Sequence, residues 1–543
     1  MIRTRVISAL ALTTALGWAM PVYAQSAADF ATMKAQMEAM QAQLDAMKNQ
    51  VDSLEGQLSQ AQVEAQAATA AAQSATAAAQ SATVSATKAS EVANKAADSA
   101  PKVAWKGAPE FAGKDGWSFK PRGRLHFDNG TISTPGALST RNLGYNSRIR
   151  RIRLGAEGTM PGDFGYKIEV DFANNVGFGD AYVSYSPSKS PLSIRLGNFE
   201  TLDGLEQITS SNNITFLERA TFNDAFLNSR RLGAAIALNS GNDDWRGEVG
   251  LFTAHSIDST FDNDGWIGAA RLVYAPKALG GQLHFGLNYQ HREFSSNNGG
   301  VVSPSVNAPS TNQLARYRAR PGSQLTDVRF VDTGSFAAKR DRIVGVEGAA
   351  IFKGLYLTGE AQWLKAKGYT AGDTAAGLDG FSGGNLAVVP TSDPGFFGVY
   401  GEIGYFLTGE TRGYKRGDGT WSRTKVLNPI NKGGSGAFQI AARIDYLDLD
   451  DNALIDGPTN NFATGVTSLA GLGARLGRGG KQTGYQLGLN WHPIDYIRFM
   501  IDYARFEIQG GPLAASAAQS SAAPIDRRNY GLDVLQTRLQ LEF

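Results

Sequence analysis

The stretch "SRIRRIRLGAEG", residues 147–158, places four arginines and one glutamate in a segment that otherwise has the composition of a β-strand. Successive side chains of a strand point to opposite faces. Arg151, Arg153 and Glu157 therefore share one face of the predicted strand. The opposite face holds the apolar residues Ile152, Leu154 and Ala156. Such a strand requires water on one side and an apolar environment on the other.

The same alternation recurs in the neighbouring segments. Basic side chains at Lys120, Arg122, Arg124, Lys167 and Arg195 alternate with Phe, Ile, Leu and Val. A charge that faces lipid at mid-depth costs about 2–4 kcal/mol, whereas a charge that faces a water-filled lumen costs little. We therefore expect the charged faces to point into an aqueous channel and the apolar faces to point toward hydrocarbon.

Sixteen segments with strand-like alternation, separated by turn residues, follow residue 116. They span residues 117–128, 147–159, 164–173, 178–186, 192–199, 231–239, 244–255, 265–275, 281–294, 342–353, 355–369, 395–408, 436–448, 484–492, 497–508 and 533–543. The predicted fold class is all-β: a closed, 16-stranded antiparallel transmembrane β-barrel, residues 117–543. Closure leaves no unpaired strand edge in lipid. A large soluble sandwich or a propeller is the alternative, but no blade repeat is present.

The two ends of the chain favour export to the outer membrane. Residues 1–24 combine Arg3 and Arg5 with an apolar stretch and "VYA" before Gln25, the pattern of a secretory signal peptide. The last ten residues, "VLQTRLQLEF", alternate up to a terminal Phe543, as the last strand of bacterial outer-membrane barrels does. We expect the cell outer membrane of a Gram-negative bacterium as the location.

Residues 25–100 show the seam of an α-helical coiled coil, which we predict to form an Ala-rich periplasmic stalk. Its first apolar positions alternate three and four apart: Phe30, Met33, Met37, Met40, Leu44, Met47, Val51, Leu54 and Leu58. Alanines continue the same spacing to Ala100, and Pro101 ends it. About 70 helical residues would form a rod of roughly 105 Å. A disordered linker is the alternative reading of the Ala-rich part. Residues 101–116 are predicted to be a linker.

Five stretches together resemble the phosphate-selective porin O/P family over residues 116–543. They are "RIRLGAEGTMPGDFGYKIEVDFAN", "IRLGNFETLDGLEQITSSNNITFLERA", "YFLTGETRGYK", "GAFQIAARIDYLDLDD" and "IDYIRFMIDYARFEI". The resemblance implies a trimer of sixteen-stranded barrels in which arginine ladders guide phosphate or polyphosphate. In trimeric porins the third extracellular loop folds inward and constricts the pore, and residues 200–230 lie where that loop belongs.

We expect nine residues to line the pore and bind anions. They are Arg122, Arg124, Arg151, Arg153, Lys167, Arg195, Arg219, Arg230 and Arg231. Arginine suits phosphate because its planar fork donates two hydrogen bonds at once and remains charged. Nearby carboxylates could neutralise these cations, and Arg219 could pair with Glu218 or Asp224. Arg230 and Arg231 have opposite parity, so we expect at most one of them to face the lumen.

The predicted function is passive diffusion of small anions through a water-filled porin, with phosphate or polyphosphate favoured. The alternatives are a general or differently selective porin, and a structural protein whose coiled coil links the outer membrane to the cell wall. Expected partners are outer-membrane lipid, two further copies in a homotrimer, inorganic anions and peptidoglycan, but no nucleic acid. We expect no enzyme activity, cofactor or metal, because Cys is absent, the five His do not cluster and no nucleotide-binding loop occurs.

Overall fold

The computed structural model of the chain describes residues 48–138, 142–173, 176–226, 229–254, 265–294, 314–368, 386–388, 390–456, 459–461, 466–468 and 477–543. Contacts divide the chain into two units, Met1–Ala100 and Pro101–Phe543. The predicted signal peptide and the first part of the predicted seam lie outside the described residues. Within the described part of the chain, no helix is both long enough and apolar enough to cross a membrane.

The described residues of the first unit form one long helix, α1 (Lys48–Ser99), in the Ala-rich region. Alanine has the highest intrinsic helix propensity, and no proline or glycine interrupts the helix after Gly56. Threonine hydroxyls return hydrogen bonds to the preceding turn, as from Thr69 to the Ala65 carbonyl at 2.8 Å. Nearly all of its described side chains are exposed. The pairing of this helix in a coiled coil remains a prediction.

The second unit contains the sixteen predicted strands, which we number β1 to β16. Their bounds are Ser118–Ile132, Gly144–Met160, Phe164–Asp171, Gly177–Tyr185, Leu192–Glu200, Arg230–Asn239, Trp245–Thr253, Trp266–Tyr274, Gly281–Glu293, Phe336–Phe352, Leu355–Gly368, Gly395–Phe406, Ala437–Asp448, Lys481–Ile494, Ile497–Gln509 and Asn529–Glu542. Each strand pairs antiparallel with the next one in the chain. β16 pairs with β1 from Val534↔Ile132 to Glu542↔Arg124 and closes the barrel. The predicted fold class is thereby confirmed for the barrel.

Side chains alternate along each strand between an apolar outer face and a polar inner face of the barrel, as the sequence predicts. In β2, Leu154 is 52% exposed on the outer face, whereas Arg151 is 4% exposed on the inner face. Outer aromatic side chains stack in rows near both ends of the strands. Trp491 packs between Phe438 and Phe499 at one end, and Phe397 contacts Trp363 at the other. Such aromatic girdles occur at the membrane–water interfaces of outer-membrane barrels.

A β-bulge interrupts the alternation in β2. His126 of β1 lies opposite Arg151, but the next residue of β1, Phe127, lies opposite Ile149. Arg150 is therefore the extra residue of β2, and the parity of the strand changes there. Ile149 faces outward before the bulge and Leu154 faces outward after it. Arg150 and Arg151 can consequently both contact groups inside the barrel.

Connections at the two ends of the barrel differ in length. At one end, most connections are turns of a few residues, such as residues 161–163 and 353–354. At the other end, connections such as residues 294–335 and 369–394 are long. In outer-membrane barrels the short turns are periplasmic and the long loops are extracellular. Residues 407–436 are an exception, because they form a long connection at the short-turn end.

Short elements complete the second unit. The helices α2 (Leu205–Ile208) and α3 (Thr221–Ala225) lie between β5 and β6, and α4 (Asn452–Ile455) and α5 (Ala514–Ala517) lie in later loops. Within the segment predicted to be a linker, Lys102–Trp105 and Pro109–Ala112 form a hairpin. Phe111 of this hairpin pairs with Phe119 at the start of β1.

Candidate functional site

The connection between β5 and β6, described for residues 201–226 and 229, folds into the barrel and forms the constriction loop. Its apolar side chains Leu205, Phe216 and Phe222 are buried. Three carboxylates, which belong to the barrel wall or to the loop itself, fix its path. Asp502 accepts a bond from Leu217 N at 2.7 Å, Asp445 accepts one from Thr221 N at 2.8 Å, and Glu206 of the loop contacts Arg443 at 2.5 Å. The loop is therefore held across the lumen by buried polar contacts.

A second segment, residues 407–436, enters the barrel from the short-turn end. Arg412 donates hydrogen bonds to the Asn213 carbonyl at 2.8 Å and to Thr215 Oγ1 at 2.7 Å in the constriction loop. Its guanidinium also lies 4.6 Å from the ring centroids of Tyr356 and Trp421. This turn thus contacts the constriction loop from the short-turn end of the barrel and stabilises its position. Nothing in the sequence predicts that this turn folds inward.

On the long-loop side of the constriction lies a polar cavity of about 210 Å³, which we call the arginine cavity. Charged residues from β2, β5, the constriction loop, β6 and the β9–β10 connection line it. Six are arginines and three are carboxylates: Arg150, Arg151, Arg153, Arg219, Arg230, Arg320, Glu200, Glu218 and Asp224. The charged lining therefore has an excess of three positive charges.

Arg219 lies at the centre of the constriction loop and pairs with neither carboxylate that the sequence suggested. Its Nε donates to the Glu206 carbonyl at 2.9 Å and its Nη2 donates to the Thr209 carbonyl at 2.8 Å. Among the described residues, no carboxylate lies within salt-bridge distance of it. Burial lowers the pKa of Arg219, yet a guanidinium remains protonated in proteins.

Glu218 and Asp224 have other partners. Glu218 accepts from Arg150 at 2.8 Å and from Arg538 of β16 at 2.9 Å. Burial alone would raise the pKa of Glu218, but these two arginines hold it well below its ordinary value. Asp224 is bound by Arg320 at 3.0 Å and by Arg329. The two carboxylates are thus engaged by arginines from outside the constriction loop, which leaves Arg219 without a carboxylate partner in the described part of the chain.

Arg151 is the second arginine of the arginine cavity without a carboxylate partner among the described residues. Its Nη1 lies 3.4 Å from Nδ1 of His126, and its buried Nε has no hydrogen-bond partner. A buried guanidinium that lacks a counter-charge is costly. An anion in the cavity would supply the missing charge and acceptors.

The other predicted residues of the early strands are paired with carboxylates. Arg122 pairs with Glu157, and Lys167 pairs with Asp180. Arg124 contacts Glu169 at 3.1 Å, and Arg153 contacts Glu169 at 2.9 Å and Asp171 at 2.7 Å. Of these residues only Arg153 lines the arginine cavity.

The three remaining predicted residues occupy different environments. Arg230 lines the cavity and contacts Asp180 at 2.6 Å and Glu200 at 2.7 Å. Arg231 instead donates to the Ala254 carbonyl at 3.2 Å and does not line the cavity. Arg195 lies over the rings of Tyr182 and Phe199, at 5.0 and 4.9 Å from their centroids.

Two lining arginines were absent from the sequence prediction. Strict alternation places Arg150 on the lipid face, and only the β-bulge turns it inward. Arg320 lies in the long β9–β10 connection, where the sequence gives no sign of an inward fold. A consecutive pair of arginines within a predicted strand is the one signal that could have pointed to Arg150, since one of the two would otherwise face lipid.

A closed sixteen-stranded barrel with an apolar outer face, a polar lumen and an inward-folded loop is a channel protein of the outer membrane. The family model "Phosphate-selective porin O and P" matches residues 119–543, and the chain belongs to this family. The outer membrane is therefore its location, as the sequence predicted.

Two relatives and one solved structure illustrate the similarity. An uncharacterised protein of Caulobacter vibrioides is 32% identical over 455 residues, which cover 81% of this chain and 77% of that protein. Porin O of Pseudomonas aeruginosa is 27% identical over 427 residues, which cover 74% of this chain and 85% of that protein. The outer membrane channel DcaP of Acinetobacter baumannii has a TM-score of 0.43 and 12% identity, over 79% of this chain and 98% of that one.

Proposed function

We propose that this channel conducts small anions by passive diffusion and favours phosphate. The observation that carries the proposal is the arginine cavity, which Arg151 and Arg219 line without carboxylate partners among the described residues. Rings of arginine or lysine are the usual selectivity elements of anion pores. The name of the family agrees with a phosphate preference.

The chemistry of the cavity favours an oxyanion over chloride. Guanidinium groups donate paired, directional hydrogen bonds that match oxygen atoms of phosphate. Six guanidinium groups approach one small volume from several directions, so a tetrahedral anion can be contacted on more than one side. The cavity has room for several water molecules, so a partly hydrated anion fits it.

A planar-bilayer experiment tests this proposal. We expect the reversal potential under a potassium chloride gradient to show anion preference, and phosphate to reduce the chloride current. Arg219→Gln and Arg151→Gln should weaken both effects. The matched control is Arg122→Gln, which removes the same charge from a paired side chain outside the cavity. Anion preference without any block by phosphate would leave an anion channel and refute the phosphate preference. A cation-selective wild-type channel would refute the whole proposal.

We further propose that three copies assemble through a coiled coil in the periplasm and that this stalk contacts peptidoglycan. The observation that supports a partner for α1 is its exposure, because an isolated alanine-rich helix gains little from burial. Deletion of residues 30–100 should abolish co-sedimentation with peptidoglycan and leave single-channel conductance unchanged. Unchanged co-sedimentation of the truncated protein would contradict the wall contact, and a monomeric full-length protein in detergent would contradict the assembly.

A further inference from the structure

The outer surface of the barrel carries a cluster of cations at the long-loop end of β10 and β11. We call Arg340, Arg342, Lys365 and Lys367 the basic rim patch. Arg340 lies opposite Lys367, and Arg342 lies opposite Lys365. All four share the parity of the outward-facing residues Val344 and Trp363, which are 49% and 48% exposed. These cations therefore face away from the lumen and take no part in the permeation path.

The charge of the basic rim patch is only partly balanced. Arg340 lies 3.8 Å from Glu293, and Lys367 lies 3.2 Å from Asp393. Arg342 donates to Nδ1 of His291 at 3.4 Å, and Lys365 donates to the backbone carbonyl of Asp393. Within the part of the chain that the structure describes, Arg342 and Lys365 thus face each other without a carboxylate partner.

Outer aromatic residues place the patch at the level of the lipid headgroups. Phe397 contacts Trp363 at 5.2 Å and Tyr446 at 6.3 Å between centroids, which forms a row across β11 to β13. Lys365 is the next outward residue of β11 beyond Trp363. Aromatic girdles mark the boundary between hydrocarbon and headgroups, where the cost of an outward charge falls to about 0–1 kcal/mol. The patch therefore meets headgroups of the outer leaflet.

An apolar groove of about 990 Å³ lies on the same wall, deeper in the membrane. Three outward glycines on adjacent strands form its floor, since Gly348 pairs with Gly359 and Gly359 pairs with Gly401. Phe285 and Ile444 border this row. A Cβ at Gly348 or Gly401 would meet no atom within 4 Å, and neither residue has a positive φ. The barrel itself therefore does not require glycine at these two positions.

The distance between the patch and the groove suits a single lipid. Gly348 follows Arg342 by six residues along β10, which is about 20 Å at 3.3 Å per residue. A strand tilt of about 45° converts this length to a depth of roughly 14 Å. The groove floor thus lies near the middle of the hydrocarbon layer, where acyl chains extend.

We propose that the basic rim patch and the groove bind one phosphorylated glycolipid of the outer leaflet. Its phosphate contacts Arg342 and Lys365, and one acyl chain lies over the three glycines. Charge complementarity identifies this occupant, because these two cations lack carboxylate partners in the described residues and phosphate accepts charge-assisted hydrogen bonds from them. By contrast, the outward residues at the same end of β1 and β2 are neutral, namely Asn129, Thr131, Tyr145 and Ser147.

The test measures lipid retention by the purified full-length channel. The protein in detergent is titrated with diphosphoryl lipid A or with its dephosphorylated form, and retained lipid is counted by native mass spectrometry. We expect one tightly held lipid per chain, a loss of affinity of about thirtyfold in the double variant Arg342→Gln/Lys365→Gln, and a comparable loss on dephosphorylation. Gly401→Leu should weaken retention by filling the groove.

A matched control distinguishes lipid binding at this site from nonspecific electrostatic attraction of the lipid to the barrel surface. Lys481→Gln removes an outward cation of the same wall that is paired with Asp448 and does not line the groove, and should change retention less than threefold. All variants should retain wild-type conductance, which shows that they fold. Equal retention by the double variant, displacement of the lipid by inorganic phosphate alone, or a second copy of the chain covering this face would each overturn the proposal.

Discussion

The anchoring contacts of the constriction loop and the arginine cavity use arginine in opposite ways. At the anchoring contacts, the buried Arg443 of β13 and Arg538 of β16 each pair with one carboxylate of the barrel wall and one of the constriction loop. In the arginine cavity, Arg151 and the loop residue Arg219 lack carboxylate partners among the described residues. The paired arginines hold the loop in place, whereas the unpaired ones are available to a permeating anion. An arginine in a porin lumen is therefore informative only together with its partners.

The largest effect is expected at Arg443 of β13. Arg443 contacts Glu206 at 2.5 Å and Glu402 at 2.7 Å, and its guanidinium lies 4.6 Å from the ring centroid of Phe216. Arg443→Ala leaves two buried carboxylates without their counter-charge, and we expect a loss of about 3–5 kcal/mol in the free energy of unfolding. Heat-induced unfolding of the purified barrel in detergent measures this loss.

The control for Arg443→Ala is the triple variant Arg443→Met/Glu206→Gln/Glu402→Gln. It removes the charges together and should recover most of the stability, because no uncompensated charge remains. If the single variant unfolds at the wild-type temperature, the paired arginines do not anchor the constriction loop, and their contrast with the arginine cavity is lost.

A smaller, pH-dependent effect is expected at the beginning of the constriction loop. Burial raises the pKa of Asp203 to about 7, and the neighbouring Glu200 adds to the shift. In the folded protein Asp203 holds a proton that the unfolded chain releases near pH 4. Its contribution to stability is therefore lost as pH rises from about 4 to about 7.

Asp203→Asn should remove this pH dependence. We expect the melting temperature of the variant to exceed that of the wild type by a growing margin between pH 5 and pH 7, and by a constant margin above that. The Asn side chain can still accept the hydrogen bond from Thr201. Melting curves measured at several pH values check this prediction. A margin that does not change with pH would show that Asp203 is ionised throughout this range in the folded channel.

The sequence allowed the barrel to be predicted almost completely, because lipid and water impose alternation on every strand. Several strands nevertheless extend past their predicted ends at the long-loop side. β10 begins at Phe336 rather than near Arg342, and β14 begins at Lys481. Outward residues there, such as Arg340, lie at headgroup level and need not be apolar. The apolar periodicity therefore stops before the strand does.

The candidate site was less predictable, because it depends on chain paths that alternation does not encode. The β-bulge at Arg150 changes the parity of β2 without a glycine or proline to mark it. Glu218 is the sequence neighbour of Arg219, but it contacts Arg150 and Arg538 instead. Partners separated by 68 and 320 residues cannot be found by reading along the chain. Only folding of the loop into the barrel brings them together.

In the arginine cavity, removal of an arginine without a carboxylate partner should stabilise the protein. Arg151 is buried, its Nε has no partner, and it lies close to Arg150 and Arg153. Arg151→Met keeps much of the side-chain volume and removes an uncompensated charge, so we expect a gain of about 1–2 kcal/mol in stability. The block of chloride current by phosphate should weaken about tenfold in the same variant, which corresponds to the loss of one charge-assisted hydrogen bond. A loss of stability would show that Arg151 supports the fold instead.

The smallest effect is expected for an ion pair near the mouth of the lumen. Arg122 and Glu157 pair across β1 and β2 with side chains that are 26% and 35% exposed. Because water screens such a pair, Arg122→Gln should change the free energy of unfolding by no more than about 1 kcal/mol and should not alter the phosphate block. Bilayer recordings and melting curves of the same preparation test both statements. A change in the phosphate block as large as that of Arg151→Met would mean that total lumen charge, rather than the unpaired arginines, determines selectivity.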